Sequence, residues 1–370
     1  MMHELGKGNF GRVESLFKPL DYQLISAAVL ELNHPGKVFV DDPIYPQTAF
    51  LFAPKMWCYL VGDPNNRSFN KSLNELLLNR ECIAKNTDVL LFVCHPDELW
   101  QESLVGIFNP RIPVSMPRYH YICRGLKDDC RQKVPNNFTI HKIDYNLLQR
   151  SDVKIPDDVY EWMRELGSTA DFLEKSFGFV TLHKDQVVSW CLADGIVRDC
   201  CEVGIHTVER FRRRGLGVIT TTAAVEYAFS EGIREVSWQC AKSNTASVRT
   251  AEKVGFEKAR SYMMYWLIFD KERNLAFLAY GALQEKNYQD AVDGYELYFK
   301  VCDDPPPWAF HDAARAWAGL RQTERAIKYL ALAYENGFSA IDVTQDTPEF
   351  EYLLASDDWQ SIQQLVDTSN

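Results

Sequence analysis

The sequence lacks any apolar run long enough to cross a bilayer. Its longest strongly apolar stretches, such as residues 89–94 and 267–269, are far shorter than the roughly 18–20 residues of a spanning helix. The first residues also lack a basic segment followed by an apolar one, which is the pattern of a secretory signal. We therefore expect a cytoplasmic protein without a membrane-spanning helix.

An excess of basic charge is also missing. The chain has 40 Lys and Arg against 51 Asp and Glu, a net charge of −11, so we expect neither a nucleic acid nor a membrane as partner. The acidity is concentrated in residues 270–370, which contain 8 basic and 18 acidic residues. A local basic site elsewhere in the chain remains compatible with this balance.

The ten cysteines include no CxxC pair and no cysteine–histidine spacing typical of a metal site. Cysteines without such partners are usually small buried hydrophobic residues. We therefore expect neither disulfides nor a bound metal.

At 370 residues the chain exceeds the usual domain length of about 100–150 residues. The pattern of apolar residues and of Pro- and Gly-containing breaks predicts an N-terminal α/β domain at residues 1–150, a second α/β domain at 151–269 and a helical region at 270–370. No residue cluster in the first region has catalytic or ligand spacing, so we expect a structural or substrate-shaping role there.

Residues 177–269 alternate strands with helices. Period-two patterns predict strands, and period-3.6 patterns bounded by a capping residue and a glycine predict helices. The predicted elements are a hairpin of strands 177–182 and 186–193, a strand 201–207, a helix 216–229, a strand 234–240, a helix from Ser243 or Asn244 to Lys253 ending at Gly255, and a closing strand 261–269.

A glycine turn joins the strand 201–207 to the following helix. Free backbone N–H groups and the positive end of the helix dipole make such a turn an anion site. Gly215 and Gly217 allow close backbone approach, and Arg212, Arg213 and Arg214 add positive charge. The plain alternative is a solvated basic turn.

Two motifs in this segment resemble signatures of the GNAT superfamily of N-acetyltransferases. The first is a Q/R-x-x-G-x-G/A turn, matched by Arg212, Gly215 and Gly217. The second follows on the next strand and helix and is matched by Asn244, Ser247, Lys253, Gly255 and Phe256. The resemblance covers about residues 178–269 and implies a mixed sheet flanked by helices. It extends faintly to glycine N-acyltransferases, and it leaves open a degenerate second copy of the fold in residues 1–150.

The resemblance implies that acetyl-CoA is the acyl donor. Its pantetheine arm would bind the free edge of the strand 201–207, where a backbone N–H near Ile205 or His206 faces the thioester, and its pyrophosphate would bind the glycine turn. The residues implied in acetyl-CoA binding are Ile205, His206, Thr207, Arg212, Arg213, Arg214, Gly215, Leu216, Gly217, Val218, Asn244 and Ser247.

Glu202 is our candidate for the general base, because only a neutral amine is nucleophilic. The alternative is a strand-end carboxylate paired with Arg198 or Arg210. His206 is a second candidate base, although a lone histidine is more often structural.

The general acid is less clear from the motif. The family often carries a tyrosine where this chain has Ala251. Tyr262 and Tyr265 on the closing strand are candidates, of which we select Tyr262, although aromatic residues in such a strand are usually core. Solvent could also protonate CoA, whose thiol is acidic.

The C-terminal region repeats at an offset of 35 residues and resembles tetratricopeptide repeats. The offset pairs small, aromatic or aliphatic residues: Ala279 with Ala314, Ala291 with Ala326, Tyr295 with Leu330 and Tyr298 with Ala333. Residues 348–365 are expected to form a degenerate third helix pair or a solubilising cap. The repeats predict either simple helix packing or a groove that binds a protein partner.

Together these observations predict an acetyl-CoA-dependent N-acyltransferase that moves an acetyl group directly from the CoA thioester to a primary amine in a ternary complex. The acceptor is a small amine, an amino acid or a basic peptide. The alternative is a non-catalytic CoA-binding or scaffold protein whose acidic helical tail recruits a partner.

Overall fold

The computed structural model describes residues 2–54, 56–79, 87–127, 134–339, 341–354 and 359. The chain divides into two compact units. The first, here the sheet unit, comprises Met1–Ile107 and Pro117–Tyr265, and the second, here the helical unit, comprises Phe108–Met116 and Trp266–Asn370. The domain boundaries expected at residues 150 and 269 stay predictions.

Twelve strands of the described residues form one mixed sheet. They are β1 His3–Leu5, β2 Lys37–Val40, β3 Thr48–Ala53, β4 Trp57–Gly62, β5 Val89–His95, β6 Val114–Cys123, β7 Phe138–Lys142, β8 Gly178–His183, β9 Gln186–Val197, β10 Cys200–Thr207, β11 Glu235–Ala241 and β12 Glu257–Ile268. Their order across the sheet is β1-β2-β3-β4-β5-β12-β6-β11-β10-β9-β8-β7. The predicted fold class, a mixed sheet flanked by helices and followed by further helices, is confirmed.

The helices of the described residues fall before, between and after these strands. They are α1 Glu14–Phe17, α2 Leu24–Leu30, α3 Arg67–Leu78, α4 Asp97–Phe108, α5 Tyr145–Leu148, α6 Asp157–Met163, α7 Thr169–Lys175, α8 Leu216–Ser230, α9 Thr245–Val254, α10 Lys271–Gln284, α11 Tyr288–Val301, α12 Pro307–Gly319, α13 Thr323–Glu335, α14 Ile341–Asp346 and α15 Glu351–Leu354. None of the helices described is both long and apolar enough to span a membrane.

The predicted elements of residues 177–269 are confirmed, and local chemistry explains their limits. Asn244 caps α9, its side chain accepting the backbone N–H of Ser247 at 3.0 Å. Gly255 ends α9 with a φ of 121°, a conformation that glycine adopts without strain.

Strands from both halves of the sequence alternate in the sheet. β6, from before residue 150, lies between β11 and β12, and β7 pairs with β8. β6 pairs antiparallel with β11, Gln239 facing His120 and Ala241 facing Arg118. Side chains that are far apart in sequence therefore share one face of the sheet.

The predicted burial of the cysteines is confirmed for six of the eight that the structure describes. Eight are free, of which Cys200 and Cys302 are half-buried and the other six are buried. Cys82 and Cys130 lie outside the described residues. The part of the chain that is described also contains no group of three or more His, Cys, Asp or Glu placed to hold a metal ion.

The helical unit is built on the pairs α10–α11 and α12–α13. All eight residues of the predicted repeat are buried. At Gly294 of α11 a Cβ would lie 2.8 Å from Cβ of Ala279, so the first pair is packed closely. Phe350, Leu353 and Trp359 of the expected third pair join this core, whereas its last residues, Ile362 and Leu365, lie outside the described part. The likeness to tetratricopeptide repeats stays a prediction.

Candidate functional site

The central strands β10 and β11 separate after a short parallel pairing. The pairing runs from Cys200, opposite Glu235, to Glu202, opposite Ser237. Beyond Glu202, β10 remains bonded to β9, and β11 to β6. The sheet therefore opens beside Glu202, and residues 204–207 on the β10 side of the opening are half-buried.

α8 begins a few residues beyond the end of β10, after a left-handed turn. Arg213 has a φ of 61°, and Gly215, the N-cap residue, has a φ of 76° and no capping side chain. The first N–H groups of a helix have no partner within it. This helix start therefore suits an anion.

Gly217, in the first turn of α8, lies close to α9 and to the end of β10. A Cβ at this position would lie 3.4 Å from Cδ1 of Ile205, 3.6 Å from Cγ2 of Thr250 and 3.7 Å from Oγ1 of Thr207. These are ordinary contact distances, so the fold accommodates a methyl group there, but a larger side chain would crowd these three residues.

The three arginines of the turn are exposed. Nε of Arg212 donates to the carbonyl oxygen of Thr207 at 3.3 Å, and Arg214 donates to that of Arg210 at 3.5 Å. The predicted Leu216 and Val218, in contrast, have side chains buried in apolar clusters. Only their backbone groups are candidates for ligand contact.

Asn244 and Ser247 lie at the start of α9. The Asn244 side chain is engaged in capping the helix, and Oγ of Ser247 accepts a hydrogen bond from Nε1 of Trp238 at 3.0 Å. Both side chains thus support the local structure that places α9 beside Gly217.

Glu202 is the last residue of β10 that pairs with β11. Its side chain is buried, with 8% exposed. Its Oε2 accepts a hydrogen bond from Nε2 of Gln239 at 2.8 Å. Burial raises the pKa of the Glu202 carboxyl to about 7, against the opposing effects of the Gln239 hydrogen bond and the Arg118 charge. A carboxyl with this pKa can exchange a proton near neutral pH.

The alternative interpretation, in which Glu202 pairs with Arg198 or Arg210, is wrong. Arg198 forms an ion pair with Glu31 at 2.7 Å, and Arg210 donates to the side chain of Gln186 at 2.6 Å. Both arginines therefore bond to other residues, and Glu202 accepts a hydrogen bond from the neutral amide of Gln239.

Gln239 connects the two residues predicted to be catalytic. Its Oε1 accepts a hydrogen bond from the hydroxyl of Tyr262, while its Nε2 donates to Glu202. The Tyr262 hydroxyl also accepts a bond from Nε of Arg118 at 2.8 Å. Glu202 and Tyr262 therefore belong to one hydrogen-bonded chain that ends at Arg118.

Residues from the N-terminal half complete this face, and sequence reasoning missed them. Nε2 of Gln23 donates to Oε1 of Gln239 at 3.2 Å across 216 positions of sequence. The rings of Tyr22 and Tyr262 pack edge to face, 5.5 Å between centroids. His120 shares a 2.7 Å hydrogen bond with Oγ of Ser237. No spacing in the sequence marks these residues, because only the pairing of β6 with β11 and the position of α2 bring them here.

The other candidates occupy different surroundings. His206 stacks on Trp190 with 4.5 Å between ring centroids, and burial lowers its pKa. Tyr265 is buried and donates to Oδ1 of Asp97 at 2.6 Å. Ala251 is fully buried in the apolar core.

The N-terminal half contains a similar strand–helix–strand unit, β4–α3–β5, without the opening. β4 and β5 pair over five residues, from Trp57 opposite Leu91 to Val61 opposite His95. The start of α3 is capped by Asn66, whose side chain accepts from the N–H of Phe69 at 3.1 Å. This unit therefore has neither the divergent strands nor the uncapped glycine turn of β10–α8–β11.

A family model described as GNAT acetyltransferase matches residues 14–265. The chain is 24% identical over 269 residues to the uncharacterized N-acetyltransferase YdfB of Bacillus subtilis (strain 168), covering 72% of this chain and 98% of that protein. The crystal structure of a GCN5-related N-acetyltransferase-like protein from Streptococcus suis 89/1591 has a TM-score of 0.56 and 21% identity, covering 70% of this chain and 98% of that one. This structural likeness supports the fold.

Proposed function

Because the chain belongs to the GNAT acetyltransferase family, we propose that it transfers an acetyl group from acetyl-CoA to a primary amine. The observation that carries this proposal is the position of Glu202. It is a buried carboxyl at the point where β10 and β11 separate, and its pKa of about 7 suits a base that works near neutral pH.

The residues around the opening fit acetyl-CoA. The half-buried edge of β10 at residues 204–207 can bond an extended arm as an added strand would, and the uncapped start of α8 suits a pyrophosphate. Gly217 lies between these two features, and a larger side chain there would crowd Ile205, Thr207 and Thr250. When bound, acetyl-CoA supplies an acetyl thioester, which reacts with a neutral amine.

Glu202 removes the proton that keeps the amine unreactive. Its carboxylate accepts this proton at Oε1 or Oε2, with Nε2 of Gln239 holding the side chain at 2.8 Å. Since the carboxyl lies in a desolvated site, its affinity for the proton is higher than that of an exposed glutamate.

Tyr262 keeps its proton at neutral pH, since the ordinary pKa of a tyrosine is about 10 and burial raises that of Tyr262 further. It is our candidate for the donor that protonates the departing thiolate, a role that the buried Ala251 is unable to fill. Arg118, bonded to the same hydroxyl at 2.8 Å, stabilises the tyrosinate that this proton transfer would leave.

The test is an incubation of the purified protein with acetyl-CoA and a panel of primary amines. Free thiol and acetylated amine are followed together, the product by mass spectrometry. We expect both to form in equal amounts and only when amine and protein are present. Binding of acetyl-CoA without transfer to any amine would instead support the non-catalytic alternative, in which the acidic helical unit recruits a protein partner.

A further inference from the structure

Two arginines lie on the sheet face that carries Glu202, and neither is paired with a carboxylate. Arg118 is half-buried, and its Nε donates to the neutral hydroxyl of Tyr262. Arg260 is exposed and stacks over the ring of Tyr22 at 4.2 Å. Across the described residues, no ion pair joins either guanidinium to an acidic side chain. The terminal nitrogens of Arg118 are thus available to a ligand.

His120 offers a second polar group on the same face. It is buried, with 4% exposed, and its Nε2 lies 2.7 Å from Oγ of Ser237. Its Nδ1 has no hydrogen-bond partner among the described residues. Burial lowers the pKa of His120 to about 4, so the ring is neutral. A buried nitrogen without a partner is costly unless a ligand or a water satisfies it.

Strand geometry places these two groups together. Arg118 and His120 are two positions apart on β6 and therefore project from one face, opposite Ala241 and Gln239 of β11. The acidic groups packed around this face are Glu202, already bonded to Gln239, and Asp97, already bonded to Tyr265.

We propose that Arg118 and His120 bind a carboxylate of the acceptor, so that the amine acetylated by this protein is an amino acid. A guanidinium offers parallel N–H donors that match the two oxygens of a carboxylate. His120 adds a donor from Nδ1 when its Nε2 accepts the hydroxyl proton of Ser237. This inference rests on the proposed acetyl transfer, and it names the acceptor of that same site.

The arrangement orients such an acceptor. Glu202 and Arg118 lie at the two ends of the chain Glu202–Gln239–Tyr262–Arg118. A carboxylate held at Arg118 leaves the amine of the same molecule to reach Glu202, the group that removes its proton. An amine without an anionic group gains no such contact.

The experiment compares each of several amino acids with its own carboxamide, for example glycine with glycinamide and phenylalanine with phenylalaninamide. Replacing the carboxylate by a carboxamide lowers the basicity of the amine. A larger fraction of the amine is then neutral and reactive, which biases the comparison against our proposal. We nevertheless expect kcat/KM to be at least about 10-fold higher for the acids, the size of a lost hydrogen bond to a charged group.

Arg118→Gln should bring the ratio of acid to amide close to one, mainly by raising KM for the acids, and Arg118→Lys should restore part of the ratio. Because Arg118 also bonds the Tyr262 hydroxyl, kcat should fall for acids and amides alike, which leaves the ratio unaffected by that loss. The matched control is Arg124→Gln, which removes an exposed arginine that pairs with Glu235 at 2.6 Å and should leave the ratio unchanged. Equal use of acids and amides by the parent, no acetylation of any amino acid, or an unchanged ratio in Arg118→Gln would each overturn the inference.

A calorimetric titration with acetyl-CoA separates this failure from that of the proposed function. If the parent protein binds acetyl-CoA and transfers acetyl without a preference for acids, the proposed function stands and only the inference fails. If the parent protein binds no acetyl-CoA, both fail.

Discussion

Nε2 of Gln239 lies 2.8 Å from Oε2 of Glu202 and donates a hydrogen bond to it. The carboxyl is thus held by a neutral amide rather than by a cation, in a site where burial raises its pKa. An arginine in place of Gln239 would stabilise the carboxylate and lower its affinity for a proton. This pairing favours a base over a structural ion pair.

Replacing Glu202 by Gln should reduce kcat for acetyl transfer by about 10²–10⁴, the usual contribution of a positioned general base. The affinity for acetyl-CoA should stay within about twofold, because the edge of β10 and the start of α8, which we propose bind acetyl-CoA, lie beyond the Glu202 side chain. Steady-state kinetics and calorimetry check the two quantities. Glu231→Gln, at an exposed position after α8, is the control, and equal activity of Glu202→Gln and parent would remove Glu202 from the mechanism.

Replacing Gln239 by Met should move the acid limb of the pH–rate profile upward. The base is active as carboxylate, so kcat should rise with pH through the Glu202 pKa of about 7 and then level off. The Gln239 hydrogen bond lowers this pKa, and its loss should shift the inflection by about one to two pH units. Gln186→Met, which removes an exposed partner of Arg210, should leave the inflection in place, and an unshifted profile in Gln239→Met would contradict the assignment.

Replacing Arg214 by Glu should weaken acetyl-CoA binding by about 10-fold at low salt. The change puts a negative charge beside the predicted pyrophosphate site, and salt screens such an exposed charge. Binding curves at several ionic strengths should therefore converge. Arg234→Glu reverses an exposed charge that faces Asp199 at 3.6 Å and serves as control; an equal loss in both variants would indicate only an effect of net charge.

Replacing Gly294 by Val should destabilise the helical unit by about 1–3 kcal/mol, the usual cost of overpacking. The added Cβ would meet Ala279 at 2.8 Å, so α10 and α11 must move apart. Thermal unfolding should show the loss, while acetyl-CoA binding should persist. A variant as stable as the parent would contradict the close packing of these helices.

Local pattern was enough to predict the elements of residues 177–269. Periodicity marks each strand and helix there, and a capping asparagine and a positive-φ glycine mark the limits of α9. The buried positions of the helical unit were predicted from a 35-residue repeat, which places small, aromatic or aliphatic residues at matching positions of two helix pairs. These signals are properties of single elements or of a spacing that recurs along the chain.

The side chains that surround Glu202 on its face of the sheet were not predictable in this way. β6 enters the sheet between β11 and β12, and this long-range pairing carries Arg118 and His120 to the site without any local signal. Gln239 was overlooked because it alternates with the buried Trp238 and Cys240, as an outward residue would. It is half-buried, and it bonds to Tyr22 and Gln23 on the second face of the sheet.

The central claim is that the opening beside β10 and the start of α8 bind acetyl-CoA. Calorimetric titration of the parent, Gly217→Val and Gly106→Ala with acetyl-CoA tests it most directly. Val at position 217 would crowd Ile205, Thr207 and Thr250 beside the start of α8, whereas Cβ at position 106 of α4 meets no atom within 4 Å. We predict one acetyl-CoA per chain for the parent and Gly106→Ala, and at least about 10-fold weaker binding for a folded Gly217→Val. Equal affinity of all three proteins, or no binding by the parent, would contradict the account.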